Sequence, residues 1–355
     1  MSGLSNIISR QIAKDGCRIG CNVTQVRASS SSAKQRYCCN YEDVKSAMRA
    51  IKPYIHRTGM FSSSYFNDLA GRKMVFKGEN LQKTGSFKIR GATNAILKLK
   101  EKSVKPTCVL THSSGNHGQA LAKAARILNI PCYVVMPESS SFCKVEAVRE
   151  YGGKVVFCPS TQKGRSEVGA RIIKEHSGVF IHPSQNPDVI AGQGTIGIEI
   201  LEQDRYVDTI VVPVGGGGMI SGIAIAAKAI NPAVKIIAAE PDTANDCEIS
   251  KQKGELTQMT DYSSTVADGA RVNIDTLTWP IIRDLVDDVI TVSEDEIKSA
   301  TRQVWERLKL VIEPTSGVAV AAVLSKKFSR IEGKHVAVVL CGGNIDLSSF
   351  MLYCV

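Results

Sequence analysis

The stretch VVPVGGGGMISGIA, residues 211–224, decides the fold. An apolar, β-branched run ends at four consecutive glycines, and a helical pattern follows them. Successive glycines let the backbone close round a ligand, and their N–H groups can cradle a phosphate at the start of the helix. The stretch has neither the GxGxxG of a dinucleotide fold nor the GK[ST] of a nucleoside-triphosphate loop. It therefore favours a phosphate that is not part of a nucleotide.

Outward from this stretch, short apolar runs alternate with amphipathic helical patterns. Such an alternation is typical of parallel sheets covered by helices on both faces, so we predict an α/β fold. In such folds, ligands bind beyond the carboxyl ends of the strands. The predicted strands are MVFK (74–77), TCVLT (107–111), CYVVM (132–136), KVVFC (154–158), DTIVVPV (208–214), KIIAAE (235–240), DVITV (288–292) and HVAVVL (335–340).

Composition argues against several classes of partner. The 355-residue chain is 43% hydrophobic and 22% charged, which is ordinary for a globular protein of about two domains. No apolar run approaches the ~20 residues of a membrane-spanning helix. The net charge is +10, yet no basic stripe with interleaved aromatic residues appears. We expect no membrane and no nucleic-acid partner, and a field that favours an anionic substrate or cofactor.

The first 36 residues differ from the rest. RASSSSAKQR (27–36) is small, polar and basic, which predicts a disordered extension on a cytoplasmic protein. A mitochondrial transit peptide is the alternative. The eleven cysteines are scattered, which indicates free thiols in a reducing compartment. A zinc clip is the alternative here, although its spacing fits no standard finger. That clip would consist of Cys17, Cys21, Cys38 and Cys39.

Three further motifs carry chemistry. QKTGSFKIRGA (82–92) frames Lys88 between Gly-Ser-Phe and a helical pattern, a setting that a surface charge does not need. HSSGNHG (112–118) is a polar turn before a helix and so an anion site; helix capping is the alternative, but capping needs fewer polar residues. VVLCGGNIDLSS (338–349) places Cys341 at a strand end, where a thiol can lie against a flat ring. A buried structural cysteine is the alternative there.

A framed lysine, a phosphate cradle and a thiol at a strand end together describe a pyridoxal phosphate (PLP) site. Their order resembles the fold-type II PLP enzymes, in the serine/aspartate racemase group of the serine/threonine dehydratase family, over about residues 37–350. The resemblance implies two doubly wound parallel-sheet lobes with the cofactor between them, and a homodimer. The large lobe would comprise residues 37–107 plus 187–355, and the small mobile lobe residues 108–186.

The resemblance also implies roles for single residues. Lys88 would bind the cofactor aldehyde covalently, and we expect burial to lower its pKa. Asn116 would meet the ring hydroxyl, and Cys341 the ring nitrogen, which a neutral thiol cannot keep fully protonated. The implied cofactor residues are Phe87, Lys88, Asn116, Gly215, Gly216, Gly217, Gly218, Met219 and Cys341.

Racemisation removes a proton from one face of the substrate Cα and returns it to the other. Lys88 would serve one face, and Ser114 matches the family's serine on the opposite face. Family dehydratases often carry a small inert residue there, so Ser114 favours a racemase with dehydratase activity on the side. The implied substrate residues are Ser113, Ser114, Asn116, His117, Ser139, Ser140, Ser141 and Arg165.

The serines at 139–141 bear on the substrate. Three hydroxyls and the amides of a following helix can bind a second carboxylate, and the triplet resembles a feature of aspartate racemases. An N-cap with spare serines is the alternative. We expect interconversion of L- and D-aspartate, with serine as a slower substrate. The alternative is a serine racemase or an L-serine (threonine) dehydratase. Two departures from family serine racemases, Ser184 and Val272, are consistent with retuned specificity and equally with drift.

The resemblance further implies a structural or regulatory Mg²⁺ or Ca²⁺ held by Glu240, the carbonyl of Ala244 and Asp246, since these ions prefer oxygen ligands. Solvated acids at a strand end are the alternative. ATP as an allosteric effector rests on the resemblance alone. Two other functional classes fit less well: a nicotinamide dehydrogenase needs a GxGxxG turn, and a non-catalytic amino-acid sensor would not need Lys88.

Overall fold

The computed structural model describes residues 36–101, 106–113, 115–260 and 264–348. The predicted extension lies outside the described residues except for Arg36, and so do Cys17, Cys21 and Ser114. The helices are α1 (Tyr41–Ile51), α2 (Ser64–Ala70), α3 (Lys88–Lys100), α4 (Asn116–Ala125), α5 (Phe142–Glu150), α6 (Gln162–His176), α7 (Pro187–Gln203), α8 (Gly218–Ile230), α9 (Asp246–Lys253), α10 (Trp279–Leu285), α11 (Glu294–Gln303) and α12 (Pro314–Leu324). The strands are β1 (Met60–Ser62), β2 (Lys73–Gly78), β3 (Val109–His112), β4 (Cys132–Pro137), β5 (Lys154–Cys158), β6 (Val179–Phe180), β7 (Thr209–Pro213), β8 (Lys235–Pro241), β9 (Asp288–Val292) and β10 (His335–Leu340).

The larger sheet of the described chain has six strands in the order β1-β2-β10-β7-β8-β9. β1 is antiparallel to β2, and the other neighbours are parallel. Successive residues of β10 point to opposite faces, and both faces are buried. Val336 and Val338 pack in one apolar cluster with α12, whereas Ala337 and Val339 pack in another with α8. The strand is therefore apolar throughout, as a strand covered on both sides must be.

The smaller sheet has four parallel strands in the order β5-β4-β3-β6 and lies between residues 109 and 180. Val134 and Met136 of β4 pack with α3 and α4 on one face. Val135 packs on the other face with Ile172 of α6. Helix α3, which begins at Lys88, thus forms part of the layer that covers this sheet.

The predicted α/β fold, with parallel sheets covered on both faces, is confirmed. Every predicted strand is present, and its ends differ from the prediction by at most two residues. β1 and β6 were not predicted, because runs of three and two residues carry too little periodicity. The boundaries of the two lobes and the motion of the smaller one stay predictions. None of the described helices is both long and apolar enough to cross a membrane.

Candidate active site

A cavity of about 170 Å³ brings together segments that are far apart in the sequence. It lies beyond the carboxyl ends of β3, β7 and β10 and beside the first turns of α3, α4 and α8. Twelve of the predicted site residues line it: Phe87, Lys88, Ser113, Asn116, His117, Arg165, Gly215, Gly216, Gly217, Gly218, Met219 and Cys341. The predicted residues that do not are Ser139, Ser140, Ser141, Glu240, Ala244 and Asp246. Ser114 belongs to the part of the chain that the structure does not describe.

Lys88 is the first residue of α3 and faces this cavity. Its Nζ lies 4.9 Å from the centroid of the Phe87 ring and donates one long hydrogen bond, 3.4 Å, to the carbonyl oxygen of Pro183. Burial lowers the pKa of Lys88 to about 8, although Cys341 and Glu313 act in the opposite direction. A lower pKa increases the population of the neutral amine, which is the form that attacks an aldehyde.

The glycine loop requires glycine for two separate reasons. Gly217, the N-cap of α8, has a φ of +77°, which residues with a side chain rarely adopt. A Cβ on Gly215 would lie 2.4 Å from the carbonyl oxygen of Gly269. No described side chain caps α8, so the N–H groups of Gly218 and Met219 are available to an anion at the positive end of the helix.

The turn before α4 is a second anion site. Gly115 is the N-cap, its N–H donates to Ser113 Oγ at 3.2 Å, and no described side chain caps the helix. His117 is buried and hydrogen-bonds through Nε2 to the carbonyl oxygen of Ile181 at 3.1 Å, which assigns the proton to Nε2. Burial, reinforced by the ammonium of Lys88, lowers the pKa of His117 to about 3. The ring is therefore neutral, and the backbone N–H groups of the first turn are the donors for a carboxylate.

Cys341 follows β10 directly and is 1% exposed. Its Sγ donates to Glu313 Oε1 at 3.6 Å and lies 3.3 Å from Ser316 Oγ. Burial and the neighbouring Glu313 raise the pKa of the thiol, so the side chain stays a neutral thiol at the cavity wall. Both properties agree with the predicted partner of a ring nitrogen, and that role stays a prediction.

Sequence reasoning missed Glu313, which precedes α12 and lines the cavity. Both of its carboxylate oxygens accept from Asn116 Nδ2, at 2.9 and 3.0 Å, while Asn116 Oδ1 accepts from Asn344 at 2.8 Å. Burial, with help from Asp268, raises the pKa of Glu313 to about 7. The amide predicted to meet the ring hydroxyl is thus oriented by a buried acid. The only signal in the sequence is an acid before a proline at a helix start, which is common.

Charged and titratable side chains surround the rest of the cavity. Arg165 lines it, and its Nε is buried without a hydrogen-bond partner among the described residues. Lys144 of α5 forms an ion pair with Asp268, and both residues line the cavity. His112 also lines it. Burial is the larger cause of the lowered pKa of this histidine, and the positive charge of Arg165 is the smaller one. No local pattern in the sequence distinguishes Lys144 or Asp268, whereas His112 is the first residue of the polar turn HSSGNHG.

The serine triplet sits apart from the cavity. Ser139 Oγ hydrogen-bonds to Ser160 Oγ at 2.8 Å on the surface. Ser141 is the N-cap of α5, and its Oγ lies 3.1 Å from Cys143 Sγ. Of the triplet, Ser141 alone contributes to a neighbouring cavity of about 220 Å³ formed by the described residues. The predicted helix after the triplet is present as α5, which begins at Phe142, but none of the three serines lines the cavity around Lys88.

Glu240 and Asp246 form a buried acidic pair at the end of β8 and the start of α9. They are 0% and 3% exposed. Glu240 accepts from the N–H groups of Cys247 and Glu248, and Asp246 accepts from that of Ile274. Burial raises the pKa of both carboxyls, that of Asp246 to about 7, and Asp246 adds to the shift of Glu240. The described residues contain no group of three or more metal-binding side chains, so a cation here would depend on carbonyl oxygens as well.

The sequence matches the family described as "Pyridoxal-phosphate dependent enzyme" over residues 51–342. The chain belongs to this family. It is 54% identical to serine racemase of Mus musculus over 318 residues, which cover 88% of this chain and 94% of the relative. A solved pyridoxal 5'-phosphate-dependent aspartate racemase is 40% identical with a TM-score of 0.85, over 88% of this chain and 98% of that one. A solved threonine deaminase from T.th. is 39% identical with a TM-score of 0.82, over 87% and 99%.

The predicted membership of the fold-type II PLP enzymes is thereby confirmed. The cavity also fits the cofactor on physical grounds. It offers an uncapped glycine-rich helix start for a phosphate dianion and a lysine of lowered pKa for an aldehyde. It also offers a neutral thiol and an apolar ring, those of Cys341 and Phe87, for a flat pyridine. Which residue holds which part of PLP stays a prediction.

Proposed function

We propose that this family member is a serine racemase, which interconverts L- and D-serine and eliminates water from serine as a side reaction. The observation that carries the proposal is the 54% identity to mouse serine racemase over 88% of the chain. The sequence predicted aspartate as the first substrate and serine as the second. The comparisons support serine better, because the solved aspartate racemase is 40% identical.

Racemisation needs two proton carriers, one on each face of the substrate Cα. PLP, when bound, withdraws electrons from the Cα and so makes its proton acidic. The Lys88 amine removes or returns this proton on one face, and the Ser114 hydroxyl does so on the other. A pKa of about 8 keeps both forms of Lys88 populated near neutral pH, as a group that must both accept and donate requires.

The first turn of α4 orients the substrate. The backbone N–H groups of Asn116 and His117 point out of an uncapped helix start and would hold the substrate carboxylate. Because His117 is neutral, the carboxylate would be held by the backbone N–H groups and not by a charged imidazole. Glu313 fixes the Asn116 amide through two hydrogen bonds, so the side chain that faces the cofactor is preorganised.

Aspartate is the second candidate substrate, and Arg165 favours it. Its buried Nε has no partner among the described residues and lies on the wall of the cavity, where it provides positive charge for a second carboxylate. The serine triplet gives no support, since Ser139 and Ser140 line neither cavity. Arg165 alone makes aspartate a substrate to test rather than the first choice.

We also propose that a Mg²⁺ or Ca²⁺ ion is held by the carboxylates of Glu240 and Asp246 and the carbonyl of Ala244. Burial raises the pKa of both carboxyls, and Asp246 raises that of Glu240 further, so a divalent cation between them would stabilise their ionised forms. The homodimer, the ATP effector and the cytoplasmic location follow from the resemblance and the composition, and they stay predictions.

Chiral chromatography of the products from L-serine and L-aspartate tests the substrate, and a pyruvate assay measures elimination. Ser114→Ala should reduce serine racemisation by about 10²-fold or more, the usual loss when a proton-transfer group is removed. It should spare elimination, which needs Lys88 and help for the leaving hydroxyl but no base on the opposite face. Equal loss of both activities would contradict the two-base assignment. Ser329→Ala is the matched control: its hydroxyl donates to the carbonyl oxygen of Lys326 on the surface, away from the cavity, so both activities on serine should persist.

A further inference from the structure

Four charged side chains pack together away from the cavity. We call them the buried charge cluster: Lys77, Glu79, Arg90 and Glu199. Each is at most 1% exposed, and the two positive charges balance the two negative ones. The cluster joins three segments of the chain, namely β2 with the short 3₁₀ turn that follows it directly, α3 and α7.

Every N–H of Arg90 has an acceptor. Nε and Nη2 donate to the two oxygens of Glu79, each at 2.7 Å. Nη1 and Nη2 donate to the two oxygens of Glu199, each at 2.8 Å, and Nη1 also donates to Thr195 Oγ1 at 3.1 Å. The planar guanidinium is therefore clamped by two carboxylates in one orientation.

Lys77 completes the cluster from β2. Its ammonium donates to Glu199 at 2.7 Å, to Gln203 Oε1 at 2.7 Å and to the carbonyl oxygen of Thr58 at 2.8 Å. All three of its N–H groups are used. Because every N–H donor of Lys77 and Arg90 already has an acceptor, the four side chains can adopt few other arrangements.

Stability alone does not explain such a cluster. Moving charges out of water is costly, and well-packed apolar side chains of similar volume often serve a fold equally well or better. What a fully bonded ionic cluster provides is a fixed geometry between the segments that it joins. A functional group on one of these segments can depend on that geometry.

That group is Lys88, two residues before Arg90 in the first turn of α3. At about 100° per residue the two side chains leave the helix in nearly opposite directions. Lys88 faces the cavity, and Arg90 faces the cluster. The Lys88 amine has one long bond, to Pro183, so its side chain contacts fix its position only weakly. The backbone of α3 must supply the rest.

The packing of α3 against α7 reinforces this link. The N–H of Gly91 donates to Gln193 Oε1 at 3.0 Å, and a Cβ on Gly192 would lie 2.6 Å from the Cα of Gly91. The two helices thus touch backbone to backbone beside the cluster. Pro183, whose carbonyl oxygen accepts from Lys88, lies just before α7.

We propose that Arg90, held by Glu79 and Glu199, is a positioning residue that sets where the Lys88 amine stands in the cavity. The proposal rests on the proposed function for the role of the amine. It predicts that weakening the hydrogen bonds of Arg90 shifts the Lys88 amine but leaves the residues that bind the substrate in place.

Arg90→Lys in the holoenzyme is the primary test, because it keeps the charge and loses the fork that engages both carboxylates. We expect kcat for serine racemisation to fall about 10- to 100-fold, the usual effect of a small misplacement of a catalytic group, while KM stays within about threefold. The visible circular dichroism of bound PLP should change, and the apoenzyme should capture PLP about tenfold more slowly. A purely stabilising residue would alter none of these at a temperature where the variant is folded.

Two further variants make the test specific. Lys327→Met removes an ammonium that donates to the carbonyl oxygen and Oγ1 of Thr291, each at 2.9 Å, on a segment outside the α3–α7 contact. It should lower Tm while keeping kcat and the dichroism. Thr195→Val removes one of the bonds of Arg90 with little change in shape, so it should fold even if Arg90→Lys does not, and kcat should fall severalfold.

The proposal is overturned if Arg90→Lys or Thr195→Val keeps kcat and the dichroism of the wild type. It is also overturned if Arg90→Lys and Lys327→Met lower kcat by the same factor when their losses of Tm are equal. If the wild-type enzyme binds PLP but does not act on serine, the proposed substrate is wrong. The rate of PLP capture and the dichroism then still decide the role of Arg90.

Discussion

The pKa of Lys88 can be tested through the rate at which the apoenzyme captures PLP. Only the neutral amine attacks an aldehyde, so the rate follows the neutral fraction of Lys88. Burial lowers the pKa of this lysine from 10.5 to about 8. At pH 7 the neutral fraction is then about 9%, against roughly 0.03% for an unperturbed lysine, a difference of roughly 300-fold.

The shape of the pH profile distinguishes the two cases. With a pKa of about 8, the rate rises roughly fivefold from pH 7 to 8, less than twofold from 8 to 9, and then levels off. An unperturbed lysine would give a rise of about tenfold per pH unit up to about pH 10. Stopped-flow absorbance of apoenzyme mixed with PLP measures the rate. A profile that keeps rising beyond pH 9.5 would refute the assignment of a desolvated amine, and Lys88→Ala should show no covalent capture.

Glu313 provides the internal check on the cause of the shift. Its carboxylate raises the pKa of Lys88 against the effect of burial, so Glu313→Gln should move the midpoint to lower pH. Glu202→Gln is the matched control, because that carboxylate is exposed and bonded to Arg57. A midpoint that moves equally in both variants, or upward in Glu313→Gln, would show that Glu313 does not act on the amine.

Three further predictions concern other parts of the site. Gly217→Ala places a side chain at a φ of +77°, so we expect a loss of about 1–2 kcal/mol in stability, measured by thermal unfolding, and weaker PLP binding in an absorbance titration. If Arg165 receives a second carboxylate, Arg165→Met will slow turnover of L-aspartate more than that of L-serine in the chiral assay. A chelator should lower Tm by several degrees in the wild type and have little effect on Glu240→Gln, because a bound cation stabilises the ionised pair.

The features that the sequence predicted well are those that depend on residues close together in the sequence. A β-branched run, a glycine turn and a helical pattern specify strand, loop and helix within about fifteen residues, as in β7 and α8. Because parallel strands place their carboxyl ends on one edge of a sheet, these local patterns also predicted that Lys88, Gly215 and Cys341 would meet.

The features that it missed depend on contacts across the fold. Glu313 reaches Asn116 over 197 residues of sequence, and Arg90 reaches Glu199 over 109. The residues next to Glu313 and Glu199 in the sequence do not distinguish either acid from one that is exposed to solvent. The serine triplet lies outside the cavity for the opposite reason: its local pattern predicts that a helix follows, as α5 does, but no local pattern tells whether that helix start faces the cavity.

The lowered pKa of Lys88 and the buried charge cluster have a common physical origin. An amine becomes a nucleophile near neutral pH only if burial removes it from water and few partners stabilise its charged form. An amine with few partners cannot be held by its own hydrogen bonds, and Lys88 has a single long one. The position that catalysis demands must then come from the backbone, and the backbone must be fixed by a neighbour with many strong bonds. Arg90, with all five donors used on the opposite side of the same helical turn, meets that requirement while keeping its charge out of the cavity.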